Sequence, residues 1–159
     1  MLGGNLGDTL QKFREAIKHL AKRIGPVSLE SKVYFSEPWG NPDQPVFMNQ
    51  ALVLKTTCSP RELLKEIKLI EQFMGRFEGE VNGPRLIDID ILLMDEQVYK
   101  DEKLEIPHPR LHLRNFNLVP LAELTPSWMH PVFKKSIAEL RDQCSDTLKV
   151  YEYYEPSNP

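Results

Sequence analysis

With 159 residues, 20 Lys and Arg set against 23 Asp and Glu, and a net charge of −3, the chain holds about one domain and lacks the basic excess of a nonspecific polyanion binder. No apolar run is long enough to span a bilayer and no charged-then-apolar leader follows Met1, which predicts a soluble, untargeted, cytoplasmic protein. Cys58 and Cys144 lack metal-ligand spacing and are too few for a disulfide framework, so both read as free thiols without a role.

A short strand before Gly3 opens the chain. Asp8 then starts a helix, because Leu10, Phe13, Ile17, Leu20 and Ile24 recur at helical spacing. Gln11 is placed to close a capping box, and Gly25-Pro26 stops the helix. Residues Val27 to Phe35 and Phe47 to Thr56 read as two strands, the second with Ala51 and Val53 on a buried face. The segment between them, Ser36 to Pro45, carries three prolines and a glycine, the mark of a long shaped loop. A second helix begins with Ser59 as N-cap, Pro60 in first position and Glu62 completing a capping box. Its apolar stripe is Leu63, Leu64, Ile67, Ile70 and Met74, and it ends near Gly75.

Leu86 to Met94 is too apolar and β-branched for a surface loop and reads as a strand carrying two carboxylates. Residues two apart in a strand face one side, so Asp88 and Asp90 point together, opposite Ile87, Ile89 and Ile91. Their Cα atoms stand roughly 7 Å apart, close enough to converge on a pair of metal ions. Two like charges on a buried face cost several kcal/mol unless a cation compensates them; the alternative is a solvated face that does nothing. Beyond Asp95 the chain predicts a hairpin through Gln97 to Tyr99, a Pro-rich turn at Ile106 to Arg110, a short helix from Lys135 to Cys144 and a strand at Leu148 to Tyr154.

The order β-α-β-β-α-β predicts an α+β fold: a ferredoxin-like split βαβ core, an antiparallel sheet with both helices on one face, plus C-terminal additions, all within one domain over 1–159. Four segments fall on loops or strand ends that can surround one face of this sheet. They are Gly3-Gly4-Asn5-Leu6-Gly7-Asp8, Glu37-Pro38-Trp39-Gly40, Arg76 to Asp90, and Pro107-His108-Pro109-Arg110 followed by Arg114 and Phe116. Arg76, Arg85, Lys103 and Arg114 are cations available to hold phosphates, while each taken alone also fits a surface ion pair.

In this order and spacing the four segments resemble the 6-hydroxymethyl-7,8-dihydropterin pyrophosphokinase family of the folate pathway. The most specific matches are Glu37-Pro38-Trp39-Gly40, Asp43-Gln44-Pro45, Phe47-Met48-Asn49, Gly75-Arg76, Gly83-Pro84-Arg85 with Asp88 and Asp90, and Pro107-His108-Pro109-Arg110. The resemblance runs from Gly3 to about Pro131, and no motif covers the chain from Phe133 onward. It implies diphosphate transfer from ATP to the pterin alcohol, with two Mg²⁺ ions on Asp88 and Asp90, no nucleic acid or membrane, and a monomer. Arg76 and Arg85 would act beside the aspartates, and Arg85, His108 and Arg114 would line the triphosphate path. Phe47 and Phe116 would sandwich the pterin and Asn49 would read its amide edge. The resemblance further implies that backbone groups near Ser36 and Glu37 complete pterin recognition and that Trp39 belongs to a mobile cover. Glu71 would be a helix carboxylate facing the site, and Ile91 would lie in the adenine pocket.

The chain departs from the family pattern at several places. Gly4 stands where a serine is common, Asn82 where an aromatic is common, Glu78 and Glu80 replace basic residues, and the first strand is reduced to Met1-Leu2, which leaves the edge of the sheet open. The loops Ser36 to Pro45 and Phe77 to Asn82 are expected to close over the substrates. Two rivals stand beside this reading: a two-metal phosphohydrolase, which leaves the aromatic pair unexplained, and a ferredoxin-like binding or regulatory module.

Overall fold

A computed structural model of the chain describes residues 1–76 and 84–154; the expected 77–82 loop, with Glu78, Glu80 and Asn82, lies outside the described residues. Leu2–Gly4 form β1, and Asp8 caps α1 (Thr9–Arg23) by accepting the Gln11 backbone N–H at 3.0 Å. The capping box does not close, because the Gln11 side-chain amide donates to Glu15, one turn on, at 3.1 Å. Gly25 ends the helix with φ 152° against the Lys55 carbonyl, where a Cβ would lie 2.0 Å from the oxygen.

The two long strands expected over 27–35 and 47–56 each break in two. β2 (Val27–Glu30) and β3 (Tyr34–Ser36) replace the first, β4 (Phe47–Gln50) and β5 (Leu52–Leu54) the second. β3 pairs with β4 in the main sheet, while β2 and β5 form a separate antiparallel ribbon. Buried Ser31 stitches the break: its N–H donates to the Ala51 carbonyl and its hydroxyl accepts from Ala51 N–H, both at 2.9 Å. α2 (Pro60–Phe73) starts as expected, with the Ser59–Glu62 capping box formed and Pro60 at its first position.

The strand expected over 86–94 is shorter: β6 covers only Asp88–Ile89. Its alternation holds, since Ile87 and Ile89 are buried in the core while Asp88 and Asp90 point to the opposite side. The hairpin lies a little later than expected, between β7 (Tyr99–Lys100) and β8 (Glu105–Ile106). α3 (Asn115–Leu124) has no counterpart in the expected elements. α4 (Ile137–Asp142) and β9 (Val150–Glu152) fall where a helix and a strand were expected.

The main sheet runs β6-β1-β4-β3-β9, antiparallel throughout. The short β1 is therefore an interior strand and not the sheet edge. Its successive residues feed two cores, one per face. Leu2 packs with Phe13, Leu20, Ile67 and Ile70 under α1 and α2, whereas Met1 packs beside Leu92, Leu118, Leu121 and Ile137 under α3 and α4. The result is a mixed α/β architecture with helices on both faces of an antiparallel sheet.

Candidate active site

The period-two alternation of the strands selects the site residues. Gly3 of β1, Ser36 of β3, Phe47 and Asn49 of β4, and Asp88 of β6 lie on the face turned away from the α1 and α2 core. The end of α2 adds Arg76, the 107–110 turn adds His108 and Arg110, and the start of α3 adds Arg114 and Phe116. Together they line a cleft of about 500 Å³. Asn5 ties its rim together: its Oδ1 accepts from Arg85 N–H at 2.9 Å, and its Nδ2 donates to the Pro45 carbonyl at 3.2 Å. Gly4 has a steric reason, since a Cβ there would stand 2.8 Å from the Leu86 carbonyl.

Asp88 is the hub of an ion-pair cluster. One carboxylate oxygen accepts from Arg76 and the other from Arg85 at 2.8 Å. Arg76 also donates to Glu71 at 2.5 Å, and Glu71, only 2 % exposed, takes Lys68 at 2.7 Å and the Ile89 N–H at 2.8 Å. Burial pushes the Asp88 carboxyl up, but the charges of Arg76 and Arg85 outweigh it and hold the group below the ordinary carboxylate range. Burial pushes Glu71 up, against Lys68, the Ile89 N–H and Arg76, which favour its charged form. The charge of Asp88 is thus compensated by guanidiniums. Among the described residues no side chain hydrogen-bonds the Asp90 carboxylate.

The opposite wall is cationic and aromatic. Arg114 lies with its guanidinium carbon 4.4 Å from the Trp39 ring centre and 5.4 Å from that of Phe116, and Arg85 lies 5.6 Å from that of Phe47. Arg85 Nε and Arg114 Nε are buried without a hydrogen-bond partner among the described residues. Burial lowers the Arg114 pKa, and the neighbouring Arg110 charge lowers it further. His108 is lowered by burial as well, with Arg114 and Arg110 adding to the effect and Asp90 opposing it, which leaves it neutral near pH 7. Its Nδ1 accepts the Arg110 N–H at 3.1 Å, so the proton sits on Nε2, a donor.

Of the residues named from the sequence, Ser36, Glu37, Trp39, Phe47, Asn49, Arg76, Arg85, Asp88, Asp90, His108, Arg114 and Phe116 line one cleft. Three do not. Glu71 is buried behind Arg76, Ile91 packs against the first core, and Lys103 sits in the β7–β8 turn, where its N–H donates to Asp101. Ser36 contributes its side chain as well as its backbone, since its hydroxyl accepts from Asn49 at 2.8 Å, both residues being buried. Lys68 and Arg110 also line the cleft and were not singled out as site residues. Lys68 stands three residues before Glu71, one helical turn away, which is the only sign of it in the sequence.

A family model described as 7,8-dihydro-6-hydroxymethylpterin-pyrophosphokinase matches residues 1–126. A 2-amino-4-hydroxy-6-hydroxymethyldihydropteridine pyrophosphokinase of Aquifex aeolicus is 39% identical over 150 residues, covering 94% of this chain and 92% of the relative. One from Synechocystis is 40% identical over 147 residues, covering 92% of this chain and 75% of the relative. Among solved structures, an HPPK-DHPS of Plasmodium falciparum with pteroate superposes with a TM-score of 0.70 at 19% identity. The match covers 89% of this chain and 41% of that longer one, and it bears on the fold alone. On the family model and these relatives, the chain belongs to the 7,8-dihydro-6-hydroxymethylpterin-pyrophosphokinase family.

Proposed function

We propose that this cleft is where the chain transfers diphosphate from ATP to 6-hydroxymethyl-7,8-dihydropterin, giving AMP and the pterin diphosphate. As a member of its family the chain is an ATP-dependent diphosphotransferase of folate biosynthesis. The observation that carries the assignment to this site is the meeting of the Asp88 and Asp90 carboxylates with Arg76, Arg85 and Arg114 and with the rings of Phe47 and Phe116 in one cleft. Residues 1–159 act as one catalytic unit, a monomer in the cytosol working on small molecules without nucleic acid. Among the described residues no helix is long and apolar enough to cross a membrane. The strand order β6-β1-β4-β3 supports a ferredoxin-like core, with the bent pairs β2–β3 and β4–β5 each counted as one strand.

Asp88 and Asp90 offer hard carboxylate oxygens of the kind Mg²⁺ prefers, and no described side chain hydrogen-bonds or ion-pairs with the Asp90 carboxylate, although the charges of the Met1 amine, His108 and Arg114 act on it. Two such ions, when bound, supply positive charge to the phosphate oxygens. Arg85, Arg114 and the Nε2 proton of His108 hold the phosphates, and Arg76 keeps Asp88 in place. Phe47 and Phe116 bound the pterin faces, and Asn49, anchored by Ser36, presents its carbonyl to the ring's hydrogen-bonding edge. Glu37 and Trp39 close the rim. The hydroxymethyl oxygen then forms a bond to the β-phosphorus while the bond from that phosphorus to the α-phosphate oxygen breaks. AMP leaves with the electron pair, and the hydroxyl proton passes to water. Phosphorus NMR of the reaction tests this: AMP and a pterin diphosphate are expected. ADP as first product would overturn diphosphate transfer, and inorganic phosphate released without pterin would favour the hydrolase.

A further inference from the structure

Two cations of the cleft wall stand without an opposite charge. Lys68, Arg76 and Arg85 are each ion-paired to Glu71 or Asp88. Arg110 and Arg114 form no ion pair among the described residues. Both stand against one indole, with their guanidinium carbons 5.8 and 4.4 Å from the Trp39 ring centre. They are also close enough to repel, since the charge of Arg110 lowers the pKa of Arg114 as well as that of His108.

A short piece of backbone keeps the pair together. Arg110 precedes and Arg114 follows a single 3-10 turn, Leu111–Leu113. Leu111 is fully buried in the second core and pins that turn. The Leu113 N–H donates to the Arg110 carbonyl at 3.2 Å and the Asn117 N–H to the Arg114 carbonyl at 3.1 Å, so neither backbone is free to move away from the other. An incoming anion relieves the repulsion. Charge-assisted hydrogen bonds from guanidinium to phosphate are stronger than a cation over a partly exposed ring, and Arg110 is exposed, with no described carboxylate to displace.

The neighbours of the two arginines decide which phosphate each meets. Arg114 also lies 5.4 Å from the centre of Phe116, a ring assigned above to one pterin face, so its phosphate is the one beside the attacking hydroxymethyl oxygen. That is the β-phosphate. Arg110 is more exposed on the same wall and meets the next one along. The γ-phosphate carries the larger charge and ends the chain, whereas the α-phosphate carries less charge and the nucleoside; guanidiniums without a carboxylate match the former.

We propose that Arg110 is a further substrate-binding residue, whose guanidinium leaves Trp39 to hold the terminal phosphate of ATP and keeps it after transfer as the end of the pterin diphosphate. This rests on diphosphate transfer in this cleft. AMP, which lacks that phosphate, owes nothing to Arg110.

The test is calorimetry on the full chain in magnesium with a non-hydrolysable ATP analogue, inorganic pyrophosphate, the pterin diphosphate and AMP. Arg110→Met keeps the reach of the side chain and removes the charge. It should weaken the first three ligands by about tenfold or more and AMP by less than about twofold. Arg110→Lys should recover part of the loss, because the charge returns without the planar fork. Melting temperatures equal to wild type show that both variants fold, as expected for an exposed, unpaired side chain. Unchanged binding of pyrophosphate and the pterin diphosphate by Arg110→Met would overturn the proposal, and so would an equal loss of AMP, which places Arg110 at the α-phosphate. The phosphorus NMR of the wild type separates the two levels: ADP as product sinks diphosphate transfer itself, whereas AMP and pterin diphosphate, with Arg110→Met binding like wild type, sink only the role of Arg110.

Discussion

Asp88 and Asp90 look alike in the sequence and differ in the structure, and the difference can be measured. Asp88 holds two guanidiniums and is only 21% exposed at its side chain, whereas no described side chain hydrogen-bonds Asp90. Asp88→Ala leaves Arg85 without its ion-pair partner and should cost about 1–3 kcal/mol in urea unfolding, against close to zero for Asp90→Ala. Both should remove most of the activity. Equal stabilities for the two variants would show that the cluster does not brace the site. The pH dependence follows from the lowered pKa of Asp88. A carboxyl held below its unfolded value of about 3.9 contributes its stability above that pH and loses it as pH falls through the lower folded value. The gap between wild type and Asp88→Ala should therefore be full near pH 6 and shrink below about pH 4.

Element by element, what the sequence revealed depended on whether a signal was local. α1, α2 and α4 announce themselves through apolar periodicity or capping residues, and their N-caps at Asp8, Ser59 and Ser136 all form. α3 gave no such signal because it is buried nearly all round, carries Pro120 within it, and has no side-chain N-cap of its own. Its first turn is capped instead from a distant loop: Asp146 accepts from the Asn115 N–H at 2.9 Å. The breaks at Ser31 and Ala51 were equally illegible, since only cross-strand hydrogen bonds make them. The cleft was partly legible: strand alternation turns Asp88 and Asp90 to one side and Ile91 to the other, as the structure has them, whereas Phe47 and Asn49 rested on the resemblance and Lys103 on its charge alone. Asp146→Ala tests the remote cap. It should lower stability by about 1 kcal/mol and, by loosening the turn that presents Phe116, raise KM for the pterin more than for ATP. An unchanged pterin KM would mean that packing in the second core alone positions Phe116.

At the scale of the molecule, the arginines that suit the phosphates lie against the rings that suit the pterin. Arg114 is stacked on both Trp39 and Phe116, and Arg85 on Phe47. A pterin stacked on the ring faces that these guanidiniums cover would require both arginines to turn toward an anion. Triphosphate supplies that anion, with stronger charge-assisted bonds than a cation over a partly exposed ring. ATP binding and pterin binding should therefore help each other by a coupling of about 1–3 kcal/mol, the same in either order. Calorimetry with a non-hydrolysable ATP analogue measures it directly: the pterin should bind roughly 5- to 150-fold more tightly to the analogue-loaded chain than to the free one. Trp39 provides an optical check, because removing the guanidinium 4.4 Å from its ring should change its fluorescence on adding the analogue alone. Trp128, in the second core, should stay constant. Identical pterin affinities with and without the analogue would mean that the stacked arginines leave the ring faces without help from a phosphate.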